Sequence, residues 1–260
     1  MKIGIIQLDE TTGQEETKHG CDLVGGESEI IKFHQLLEKK DLQEYGMLIF
    51  PTGFTTTDPL VTARLRSMMF KVKLQEMLMK FVNQKKIILG IGSGFHLLIY
   101  LGLLPYPSLD QQISVLSNKN GSCKSTWVYL KVNTKSPCIF TKGFQGMYLP
   151  FRQEYSQLYI PTPVMEELKK NNQIVLQYSN ENFEPSQEER YNPSGTKEAI
   201  AGMCDPSGRI FGMMGHPESY LHLFNHPLFT KHKLNGSLSR DWISFQLFKN
   251  AVDYVAKMES

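Results

Sequence analysis

Short apolar runs, each ending at glycine, proline or polar residues, alternate with stretches of helical spacing along the first hundred residues. Residues 2–8, 47–50 and 87–89 are such runs and have the length and composition of strands buried on both faces. Between them, Ile30, Ile31, Phe33, Leu36 and Leu37 fall at helix spacing over 28–40. Leu65, Met68, Met69, Val72, Met77 and Phe81 do the same over 61–83. Strand, helix, strand, helix, strand predicts a parallel sheet with right-handed crossovers. The methionines at 68–79 are expected to fill the core, the usual role of methionine at this spacing.

The pattern changes after Pro105. Residues 113–116 and 126–132 alternate like a hairpin, with Asn120 and Gly121 available for its turn. The polar, turn-rich stretch 179–196 reads as a surface loop. Residues 199–204 and 209–214 predict a strand pair around Asp205–Gly208, and a closing helix over 241–257 carries Trp242, Phe245, Leu247, Phe248, Val252 and Val255. The expected fold class is α/β: a flavodoxin-like domain spanning 1–260, with a mostly parallel sheet flanked by helices and an added antiparallel hairpin region.

Charge narrows the partners. Lys and Arg total 28 against 26 Asp and Glu, so the formal excess of +2 gives no reason to expect nucleic acid or an anionic membrane. Cys21, Cys123, Cys138 and Cys204 lie far apart with no CxxC pair, which argues for a reducing compartment and against a zinc knuckle. No signal core opens the chain, and the apolar stretch 87–104 is broken by glycines and His96, so a cytoplasmic protein without a membrane span is expected. His222 and His226 have zinc-pair spacing, but Pro227 interrupts any helix there. No metal or cofactor is expected.

Three stretches carry candidate chemistry. Residues 86–98 read as a strand turning sharply through Gly90, Gly92 and Gly94 into a helix. Such an elbow sets one residue at the carboxyl edge of the sheet, beside the next helix's amides, where a nucleophile would stand. The apex residue is Gly92, which has no side chain. A phosphate cradle also uses glycines before a helix, but the spacing does not match the dinucleotide fingerprint. Ser93, one residue past the apex, reads as a helix cap, with a relocated nucleophile as the alternative. His216 and Glu218 follow an apolar strand, where extended backbone would put imidazole and carboxylate on one side as an oriented general base. Gly53, in the run PTGF at 51–54, offers an amide to an oxyanion hole.

Together these stretches resemble the class I glutamine amidotransferases, specifically the glutaminase component of phosphoribosylformylglycinamidine synthase in purine biosynthesis. The resemblance runs in order along nearly the whole chain. PTGFTTTD at 51–58 is similar to the family's PGGFSxxD, and GIGSGFH at 90–96 with LGLLP at 101–105 matches its GxCNGxQ elbow and following helix. NPSGT at 192–196, IAGMC at 200–204 and GMMGHPES at 212–219 match NPNGS, IAGIC and GMMPHPER.

Carried over residue by residue, the resemblance implies a Cys–His–Glu triad in which His216 and Glu218 are present and Gly92 replaces the cysteine. Gly53, Ser93, Gly94 and His96 then fall in the oxyanion and pocket region. His96 stands for the family's glutamine and Thr52 for a glycine. Ser122, Lys124 and Thr126, the segment Arg152 to Tyr155, and Ser219 depart from the pattern as well. Without sulfur the thioester route is closed. The expectation is a homologue that has lost glutamine hydrolysis and serves a purine-pathway synthetase as partner or scaffold. The alternatives are an amidohydrolase using Ser93, with Cys204 a less suited candidate, or a binding module that holds glutamine or a related small acid.

Overall fold

The computed structural model describes residues 2–8, 12–39, 41–53, 59–236 and 245–258. Among these residues, nine strands form one sheet. Five adjacent strands run parallel: β2 (Ser28–Lys32), β1 (Lys2–Gln7), β3 (Tyr45–Phe50), β4 (Ile87–Ile91) and β11 (Ile210–Met213). The sheet continues antiparallel through β10 (Ile200–Cys204), β9 (Ile174–Ser179), β6 (Lys124–Val132) and β7 (Gly146–Gln153). β3 and β4 are buried along their whole length, as helices on both faces require of parallel strands. The helices are α1 (Gln14–Leu23), α2 (Phe33–Glu38), α3 (Pro59–Asn83), α4 (Ser93–Tyr100), α5 (Thr162–Lys170), α6 (Phe229–Leu234) and α7 (Phe245–Lys257). The expected α/β class is the observed one.

Several local expectations give way. The segment 28–40 is not one helix: Ile30 and Ile31 lie in β2, with Ile5 of β1 opposite Ile30, and only Phe33–Glu38 is helical. Neighbouring β-branched side chains suit a pleat better than a helix. α1 carried no readable stripe, because its buried residues are Thr17, Gly20 and Cys21.

The expected 113–132 hairpin does not form. β5 (Ser114–Ser117) pairs with β8 (Tyr155–Tyr159) in a separate two-stranded sheet, while β6 pairs with β7 and β9. Asn118 draws the connection across the fold, its amide donating to the Ser122 and Gln153 carbonyls at 2.9 and 2.8 Å.

α3 buries Phe70, Leu74, Leu78 and Phe81, with Met77 and Met79 packed beside them. Leu65, Met68, Met69 and Val72 instead face out, with Met68 62% and Val72 78% exposed, so the core reading fails for half of the methionine stripe. The 179–196 loop is not wholly at the surface: Asn192, Ser194 and Thr196 are buried and bonded to one another. In the closing helix, Leu247, Phe248 and Val255 are buried as expected, whereas Phe245, in its first turn, is exposed; Trp242 lies outside the described residues. No helix among the described residues is long and apolar enough to cross a membrane.

Candidate functional site at the β4–α4 elbow

β4 leaves the sheet at Ile91 and α4 starts at Ser93, so the whole change of direction falls on Gly92, with φ 56° and ψ −113°. An L side chain pays steric cost in that left-handed region and glycine does not. The Gly92 amide donates to Met213 of β11 at 2.8 Å, and its carbonyl accepts from Phe95, which pins the apex to the parallel sheet. Gly94 serves packing: a Cβ there would stand 1.9 Å from the Phe50 carbonyl oxygen, so α4 rests on β3 with no room for a methyl group.

Ser93 is the first helical residue, and the cap itself is Gly92, which corrects the reading of Ser93 as the cap. Ser93 and Gly94 border a small cavity with Ile6, Leu8, Phe50 and Arg66. The surroundings of the apex are different residues. A Cβ built on Gly92 would meet Gln153 Nε2 at 2.4 Å, Thr52 Oγ1 at 2.7 Å and His216 Cε1 at 3.1 Å.

His216 comes from the turn after β11. Its Nδ1 lies 2.9 Å from Glu218 Oε1, and both side chains are buried. The pair is assembled by a 3-10 turn over Pro217–Ser219, not by the extended backbone expected. The His216 amide donates to the Pro150 carbonyl on β7, which holds the ring over the apex. With Nδ1 engaged by the carboxylate, Nε2 is the ring's free-facing atom, and Gln153 Nε2 lies 3.4 Å from it.

Thr52 follows β3 and is buried; its carbonyl accepts from the Thr12 and Gly13 amides at 3.2 and 3.3 Å. Gly53 is the next residue, and residues 54–58 of the same loop lie outside the described residues. His96, one helical turn beyond Gly92, is 1% exposed, and among the described residues neither ring nitrogen has a partner of full hydrogen-bond geometry. Burial pushes its pKa down to about 4, with the Tyr155 backbone opposing weakly, so the ring is neutral.

The structure therefore brings Gly92, His216, Glu218 and Thr52 together. It adds Gln153, which the sequence reading passed over; the only signal was the departure of the segment 152–155 from the family pattern. Cys204 is buried far along β10 beside Ser136 and Cys138, where the neighbouring Cys138 thiol and then burial raise its pKa, so it is an inert thiol.

A family model of the CobB/CobQ-like glutamine amidotransferase domain matches residues 1–255. The chain belongs to this glutamine amidotransferase family. Within the family it is homologous to PurQ. The phosphoribosylformylglycinamidine synthase subunit PurQ of Methanococcus maripaludis (strain S2) is 36% identical over 255 residues, covering 94% of this chain and 93% of the relative. The same subunit of Dehalococcoides mccartyi is 32% identical over 260 residues, with 99% of each covered. A chain of the solved structure of PurLQS from Thermotoga maritima superposes with a TM-score of 0.69 at 22% identity, covering 98% of each chain, and shares the fold.

Proposed function

We propose that this chain is a PurQ-like subunit that has lost thiol-dependent glutamine hydrolysis and acts in the cytoplasm as the partner or scaffold of a purine-pathway synthetase. The observation that carries the reading is the apex. His216 and Glu218 keep the geometry of an oriented base, and the His216 ring faces the point where a nucleophile's Cβ would be, yet Gly92 offers neither sulfur nor oxygen there. A covalent mechanism cannot start without that atom, and removing such a nucleophile costs several orders of magnitude in rate.

Homology over nearly the full length of PurQ subunits supports the partner role, because the likeness is not confined to the segments around the elbow. The test is a glutaminase assay on the purified chain, alone and with its cognate synthetase. The expected result is no glutamate above the uncatalysed background, with the synthetase still using ammonia. Glutamate release at ordinary enzymatic rates would overturn the proposal.

A further inference from the structure

The space above Gly92 is filled by the protein itself. Gln153 closes β7 and is nine-tenths buried. Its backbone is fixed: the carbonyl accepts from Asn118 Nδ2 at 2.8 Å, and Asn118 Oδ1 in turn accepts from Ser156 Oγ at 2.6 Å. From this anchored corner the side chain reaches over the elbow. Its Nε2 stands 2.4 Å from where a Gly92 Cβ would be, closer than any two such atoms can approach.

The same nitrogen faces His216 Nε2 at 3.4 Å. Because Nδ1 is turned to Glu218, Nε2 is the ring's acceptor, and the carboxamide supplies an N–H toward it. A carboxamide at the end of two methylenes is also the reactive end of free glutamine. Held by the chain, it needs no translational entropy to occupy the site, so a dissolved amide competes at a disadvantage.

We propose that Gln153 is an intramolecular ligand of the elbow, the residue that determines that this site takes up no free glutamine. The inference rests on the reading of the elbow, His216 and Glu218 as a remnant glutamine site. It places the exclusion of substrate in a side chain separate from the missing nucleophile.

Two measurements test it. In calorimetry with millimolar L-glutamine, the unaltered chain gives no binding heat, whereas Gln153→Gly and Gln153→Ala each bind; silence from both variants, or equal binding by the unaltered chain, overturns the proposal. The second measurement needs no substrate. Gly92→Cys and the double variant Gly92→Cys/Gln153→Gly are treated with iodoacetamide, and alkylation is followed on the peptide containing position 92. Alkylation is at least about tenfold faster in the double variant, a difference of about 1.4 kcal/mol in access. Equal rates overturn the proposal, and a thermal melt confirms that each variant is folded. Glutamate release by the unaltered chain would defeat the proposed loss of hydrolysis instead, and is read in a separate assay.

Discussion

The His216 ring and the Glu218 carboxylate meet across one turn of backbone, Nδ1 to Oε1 at 2.9 Å, and neither side chain reaches solvent. Among the described residues Glu218 Oε2 has no hydrogen-bond partner, so the contact with His216 is the carboxylate's compensation there. Glu218→Ala is expected to cost about 2 kcal/mol, because the ring's N–H is left buried without an acceptor. Glu218→Gln, whose amide oxygen still accepts, costs less. Urea unfolding midpoints of the two variants check the order.

Acid sensitivity is expected from His96. Its folded-state pKa of about 4 lies below the ~6.5 of an unfolded histidine. As pH falls, the unfolded chain takes up the proton first. This contribution to stability is therefore complete above about pH 6.5 and is lost progressively toward pH 4, to a total of about 3 kcal/mol. His96→Gln removes that part of the slope, and the difference between the two proteins' stabilities at about pH 7 and about pH 4 measures it.

Close packing under the elbow predicts a sharp penalty at Gly94. A methyl group there would overlap the Phe50 carbonyl, which is backbone and cannot swing away. Gly94→Ala is expected to destabilise by about 3 kcal/mol or more. The same change at Gly121, where no atom of the described residues lies within 4 Å of the new methyl group, meets only the cost of its positive φ, about 1 kcal/mol. Thermal melts of the two variants separate collision from backbone strain.

Val72 and Met68 make the opposite prediction. Both stand on the outward side of α3, so Val72→Glu or Met68→Glu changes stability by no more than about 0.5 kcal/mol. A loss of several kcal/mol in a chemical denaturation curve would mean that these side chains are part of the core after all.

The parallel half of the fold was legible because its strands are continuous apolar runs and its elbow is written in three closely spaced glycines. His216 and Glu218 were legible by their position after an apolar strand, although the turn that joins them was not. α1 was invisible, since Thr17, Gly20 and Cys21 make a buried face without hydrophobic contrast. β2 was mistaken for helix because apolar residues at 30, 31, 33, 36 and 37 fit either period. Gln153 could not be found locally: its meaning depends on the end of β7 meeting the turns that follow β4 and β11, contacts that join residues 153, 92 and 216 across the chain.

The backbone angles at Gly92 carry an evolutionary consequence. Any mutation that adds a side chain at the bend must accept left-handed torsion and dislodge a neighbour before it can contribute reactivity. Adding a side chain by a single substitution thus meets an uphill first step, in which the Gln153 side chain must swing aside and Thr52 must give way. Torsion and crowding together hold the bend to the smallest residue.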